Sequence, residues 1–217
     1  MSSRRYRLWI PLLVLLFTGL GRAEEEAPKA AGEAPPAARH PAADWPQKLP
    51  WRSIGPAHMG GRITSLAVSQ QDPTRWFAAT ASGGLLRTQN NGISFEHLFD
   101  DKKTVSIGDV AVAHTNHDIV WVGTGEANPR NSVSWGDGVY KSTNGGKTFA
   151  HVGLEKTFQI SSVRIHPRNP DVVYVGALGR LWGTNPERGL FKTTDGGKTW
   201  KRILFVDDKT GVIDVCL

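Results

Sequence analysis

Thr193-Thr194-Asp195-Gly196-Gly197-Lys198-Thr199-Trp200 is the third copy of an octet that decides how this chain folds. The earlier copies are Thr88-Gln89-Asn90-Asn91-Gly92-Ile93-Ser94-Phe95 and Ser142-Thr143-Asn144-Gly145-Gly146-Lys147-Thr148-Phe149. Each places a hydroxyl residue first, Asn or Asp third, Gly fifth, Ser or Thr seventh and an aromatic eighth. Asn90, Asn144 and Asp195 turn short polar side chains onto nearby backbone amides, and Gly92, Gly146 and Gly197 accept positive φ, so each octet predicts a tight turn. The closing aromatics Phe95, Phe149 and Trp200 are expected to pack inward. The structural set is therefore Thr88, Asn90, Gly92, Phe95, Ser142, Asn144, Gly146, Phe149, Thr193, Asp195, Gly197 and Trp200.

β-prone runs flank the turns, Gly84 to Arg87 before the first and Glu96 to Phe99 after it, which makes each octet a hairpin. Upstream, Ile63 to Ala79, Ile107 to Gly123 and Ile160 to Gly176 align without gaps, with polar turns at Asp72-Pro73, Asn116-His117 and Asn169-Pro170. That gives four strands per unit. The units start 44 and 53 residues apart, the period of four-stranded propeller blades and not of helical solenoids. The fold class is all-β, a β-propeller with three blades plus the start of a fourth at Val212 to Leu217, and this count implies a fragment of a larger ring.

The amino terminus reads as a secretory signal over residues 1–23: Arg4, Arg5 and Arg7, an apolar core from Leu8 to Leu20, and Gly21-Arg22-Ala23 as the cleavage site. An uncleaved anchor is the alternative. The expected location is secreted or periplasmic, with no transmembrane span after signal removal. Residues 24–45, rich in Ala, Pro and Glu, read as a disordered linker, and residues 46–217 as the blades. Of 26 basic residues, four fall in the signal, which leaves 22 against 20 acids and gives no reason to expect a nucleic-acid partner. The single cysteine, Cys216, reads as a small buried apolar residue. His114 and His117 fall on the turn between first and second strands, so neither a metal nor another cofactor is implied.

Loops joining the second and third strands share one face of a propeller with the connections between blades. That loop is short in the first blade, Thr80 to Gly83, and long in the others, Thr124 to Asp137 and Ala177 to Arg188. Insertions confined to one face mark a binding face. The candidate ligand contacts are Arg62, Glu126, Arg130, Trp135, Trp182 and Arg188, a mixture suited to sugar stacking or to anchoring a peptide. In the competing reading Trp135 and Trp182 plug gaps between blades while Arg130 and Arg188 tie the loops down. No Ser-His-Asp arrangement is assignable, and paired carboxylates among Glu126, Glu187 and Asp137 stay open.

The octets resemble the Asp-boxes of the bacterial neuraminidase (BNR) repeat. The stretches Trp51 to Pro56, Gly123 to Glu126 and Ser134 to Tyr140 resemble bacterial secreted proteins of the sortilin-propeller type, often labelled glycosyl hydrolases. The resemblance implies peptide, protein or carbohydrate ligands. Related xyloglucan endoglucanases use an aspartate in a Thr-Asp-Ile-Gly-Gly stretch, where this chain has Thr80-Ala81-Ser82-Gly83-Gly84. Ala81 neither transfers a proton nor activates water, which counts against that hydrolytic mechanism. Sialidases also carry Asp-boxes, but their arginine triad and tyrosine nucleophile are not visible here. A glycoside hydrolase with carboxylates in further blades is the alternative.

Overall fold

A computed structural model describes residues 61–128 and 130–217, all within the compact unit Gly55–Leu217. The signal over residues 1–23, the linker over residues 24–45 and the Trp51 to Pro56 stretch lie outside the described residues.

Among the described residues, twelve strands form three four-stranded antiparallel sheets, each a simple meander. The first sheet holds β1 (Ile63–Val68), β2 (Trp76–Thr80), β3 (Leu85–Thr88) and β4 (Glu96–His97). The second holds β5 (Ile107–Val112), β6 (Val120–Thr124), β7 (Val139–Ser142) and β8 (Ala150–His151). The third holds β9 (Ile160–His166), β10 (Asn169–Ala177), β11 (Gly189–Thr193) and β12 (Lys201–Leu204). The described residues contain no α-helix, only a single 3-10 turn at Glu155–Thr157.

The sheets stack face to face because their middle strands are apolar on both sides. Ile107, Val110, Val120 and Val122 pack on Ala67, Phe77, Ala79 and Leu85 of the first sheet. On the opposite side, Trp121 and Val139 meet Ile160, Val163, Val173 and Val175 of the third. Where the backbones nearly touch, only glycine fits: a Cβ on Gly108 would sit 1.8 Å from the Ile160 carbonyl oxygen.

A polar tie runs across the first strands of successive sheets. Ser65, Asp109 and Ser162 occupy equivalent register positions, opposite Ala79, Gly123 and Gly176. Asp109 is buried, yet its carboxylate is fully used. It accepts from Ser65 Oγ at 2.6 Å, from the Val163 amide at 2.7 Å and from Arg164 Nη1 at 2.7 Å. Arg164 reaches onward to Asp214 Oδ1 at 3.0 Å.

Two expectations need correction. Phe95 is 42 % exposed, because the sheet face it shares with Leu66 and Val68 has no neighbouring sheet within the described residues. Cys216 is exposed and not buried. Val212 to Leu217, read as the start of a fourth blade, docks on β9 as β5 docks on β1: the Val212 amide donates to the Ala177 carbonyl, the Val212 carbonyl accepts from Ser161 as the Ile107 carbonyl accepts from Thr64, and the Val215 carbonyl accepts from Arg164. The polar turn read around Asn169-Pro170 centres on Pro167 and Arg168, with Asn169-Pro170 opening β10.

Candidate functional site

The octets lie between the third and fourth strands of each sheet, at the end opposite the inserted loops. Their geometry is the same three times over. The first-position hydroxyl accepts from the amide of the fifth-position glycine: Gly92 to Thr88 at 2.8 Å, Gly146 to Ser142 at 2.9 Å and Gly197 to Thr193 at 3.0 Å. The third-position oxygen accepts from the seventh-position amide at 2.9 Å in the first copy and 3.0 Å in the other two. The fifth position sits at φ 87°, 84° and 92°, the left-handed region that favours glycine. Phe149 packs edge-on against Phe99, and Trp200 against Trp121 while donating to the Val152 carbonyl at 2.6 Å. Hydrogen bonds from the Thr199 hydroxyl and amide and the Thr193 hydroxyl hold the Asp195 carboxyl far below the usual carboxylate range.

At the loop end, each first strand begins beside the residue that follows the second strand of the same sheet or its neighbour. The Ala81 amide bonds to the Arg62 carbonyl, Gly125 to Ser106 and Leu178 to Gln159. Beside this row, Arg62 forms an ion pair with Glu126, whose side chain is 1 % exposed and whose amide donates to Ser106 Oγ at 3.0 Å. Asp137 is also engaged, accepting from the Tyr140 hydroxyl at 2.7 Å and from Thr124 Oγ1 at 3.3 Å. The carboxylate beside it, together with burial, pushes the Tyr140 hydroxyl well above the usual tyrosine range, burial being the larger cause. Two of the three carboxylates weighed as catalytic are thus occupied by neighbours. Glu187 is half-buried and carries no ion pair among the described residues.

The inserted loop of the third sheet and the connection between β8 and β9 border an open cavity of about 460 Å³, lined by Lys156, Phe158, Arg180, Thr184, Asn185, Pro186 and Glu187. Asn185 is spent on structure: Nδ2 donates to the Lys156 carbonyl at 3.2 Å and Oδ1 accepts the Glu187 amide at 2.7 Å. Trp135 is 60 % exposed and stacks edge-on against Phe158, with ring centroids 5.3 Å apart. Arg180 lies over Phe158 at 4.4 Å and over Trp135 at 5.9 Å.

The sequence-predicted contacts separate into distinct environments. Trp182 stands out into solvent, 72 % exposed, while Trp135, 60 % exposed, leans on Phe158 and Arg180 at the junction with the third blade. Arg130 is exposed on the second loop. Arg188 is buried and donates to the carbonyls of Leu178, Arg180, Gly183 and Asp208, gathering the third loop around itself. Arg62 and Glu126 are paired to each other. Phe158, Arg180 and Lys156 were not singled out from sequence, although Arg180 stands inside an inserted loop already marked by its length.

The BNR/Asp-box repeat family matches residues 191–202, the strand and turn of the third octet. The three sheets have the fold of β-propeller blades. Among solved structures, the blades are similar to the GH74 enzyme of Niastella koreensis, at 23 % identity and a TM-score of 0.51, over 67 % of this chain and 23 % of that one. They are also similar to an ancestral GH74 enzyme, at 25 % identity and a TM-score of 0.55, over 68 % of this chain and 19 % of that one. A further similar structure is YCF48 from Cyanidioschyzon merolae, at 17 % identity and a TM-score of 0.49, over 70 % of this chain and 42 % of that one. The blades therefore span less than half the length of each of these chains. No curated protein sequence matches.

Proposed function

We propose that these Asp-box blades present a ligand-binding face built from the inserted loops and that they bind without cutting. The observation that carries this reading is the contrast on that face between the paired carboxylates Glu126 and Asp137 and the exposed indoles. Glu126 is paired with Arg62, Asp137 is held by Tyr140 and Thr124, and position 81 is an alanine, whereas Trp135 and Trp182 are 60 % and 72 % exposed. Large indole surfaces left in water on an otherwise packed scaffold are anchors in search of a partner. The ligand class is a glycan, peptide or protein, in keeping with the sortilin-type resemblance. The Arg4 to Ala23 signal supports a secreted or periplasmic setting, and the near-neutral mature charge supports a partner other than nucleic acid.

The test uses the purified full-length protein on glycan and peptide arrays, with polysaccharides assayed in parallel for released reducing ends. Retention without sugar release is expected, and Trp182→Ala weakens retention by about 1 to 3 kcal/mol. A second reading, a glycoside hydrolase, is favoured by the 25 % identity to an ancestral GH74 enzyme. Sugar release that disappears in Glu187→Gln or Glu126→Gln would establish the hydrolase and sink the binding-only reading.

A further inference from the structure

The geometry points to an acidic glycan as the ligand of the loop face, with Arg180 receiving a carboxylate carried on a sugar ring inside the 460 Å³ cavity. This rests on the loop-face reading above.

The first support is the state of Arg180. Its guanidinium lies 4.4 Å from the Phe158 ring centroid and makes no hydrogen bond or ion pair among the described residues. A guanidinium held over an aromatic ring by its charge keeps its N–H groups available to a planar acceptor, which a carboxylate matches with two parallel bonds. Arg180 is exposed, and its contact with the Phe158 and Trp135 rings restricts the side chain and lowers the ordering cost of binding.

The second support is the backbone that holds Phe158 there. Phe158 has φ 58° and ψ −56°, and the Gln159 amide bonds to the Thr157 carbonyl across it at 2.6 Å. This is a γ-turn of the rare, strained kind. It is held by the Gly136 amide, which donates to the Phe158 carbonyl at 2.7 Å from the neighbouring blade's loop. Strain kept in place by surrounding bonds is characteristic of ligand clamps, and its product here is the platform under Arg180.

The third support is the balance of charge in the cavity. Lys156 and Arg180 face one carboxylate, Glu187, so the lining carries one net positive charge, while the Thr184 hydroxyl and Glu187 offer acceptors. A hexuronate ring carries a carboxylate at one end and hydroxyl donors along the rest, and engages the cations and Glu187 together. An acidic peptide brings its carboxylate on a flexible stem with its donors back on the main chain, whereas the hexuronate holds carboxylate and hydroxyls on one rigid ring, which favours the sugar.

Calorimetric titration of the full-length protein with an oligogalacturonate, and with the same oligosaccharide after reduction of its carboxyls to alcohols, tests the inference. The acidic form is expected to bind about tenfold or more tightly than the reduced form. Arg180→Met should bring the acidic form down to the level of the reduced one, and Arg180→Lys, which keeps charge but not the planar stack, should fall between. Equal affinity for both oligosaccharides, or unchanged binding of the acidic form by Arg180→Met with its fold intact by circular dichroism, overturns the inference. If the arrays instead retain only neutral sugars or peptides in a Trp182-dependent way, the acidic-glycan inference fails while the loop-face reading stands. Retention of no ligand of any class defeats both.

Discussion

Gly197→Ala is expected to destabilise these blades measurably. Two costs combine at this position. The backbone sits at φ 92°, where an L side chain costs about 1 to 2 kcal/mol. The added Cβ would also lie 3.0 Å from Trp121 Cη2 and 3.1 Å from Val152 Cβ, and Trp121 is fully buried and cannot retreat. Overpacking of that kind adds about 1 to 3 kcal/mol. Gly183→Ala isolates the first cost: its φ is 89°, but nothing lies within 4 Å of the added Cβ. The loss of unfolded-state freedom is common to both changes and cancels in the comparison. Thermal unfolding of the full-length variants by circular dichroism should lower Tm by roughly 5 to 15 °C for Gly197→Ala and roughly 2 to 6 °C for Gly183→Ala. Equal shifts for the two would refute the argument that the octet glycine is dictated by the Trp121 contact as well as by its dihedral angle.

Thr193→Val keeps shape but strips the acceptor from the buried Gly197 amide, and should cost about 1 to 3 kcal/mol in chemical denaturation. Asp195→Asn should be nearly neutral at pH 7, since Asn90 and Asn144 make the same amide contact in the other copies. On the acid side the two differ: the folded Asp195 pKa lies below its unfolded value of about 3.9, so its contribution is present above that value and fades as pH falls through the folded one. An acid titration of stability should therefore be flatter for Asp195→Asn than for the parent. Arg188→Ala removes the guanidinium that gathers four carbonyls, and limited proteolysis should then cut within residues 177–188 before the blades unfold.

Much of the architecture was legible because the octet is a closed local device. Its hydroxyl, amide oxygen and glycine satisfy one another within five residues, so their spacing alone carries the geometry. Loop length likewise marked the face on which Trp135, Trp182 and Arg180 stand. Arg188 was less legible, because a charged residue in a loop looks the same whether it meets a ligand or draws in backbone carbonyls. Phe158 was invisible: its importance comes from a strained turn in the connection between blades, which no residue preference encodes, held by a glycine amide from another loop. Phe95 misled for a different reason, since its burial depends on a neighbouring sheet and not on its own hairpin.

The Asp109 tie has a consequence for how these blades come apart. In a stacked repeat each unit contacts only its neighbours, so whether the array melts as one body or piecemeal depends on the coupling at each junction. Asp109 gathers donors from three successive blades at one carboxylate: Ser65 from the first, the Val110 amide from its own, and Val163 with Arg164 from the third. Its removal would leave the three hairpin systems intact while cutting the bonds that make the loss of one blade felt by the next. The melting of these blades would then spread over temperature, with the blades unfolding as separate bodies, and a single buried carboxylate would have been setting their cooperativity.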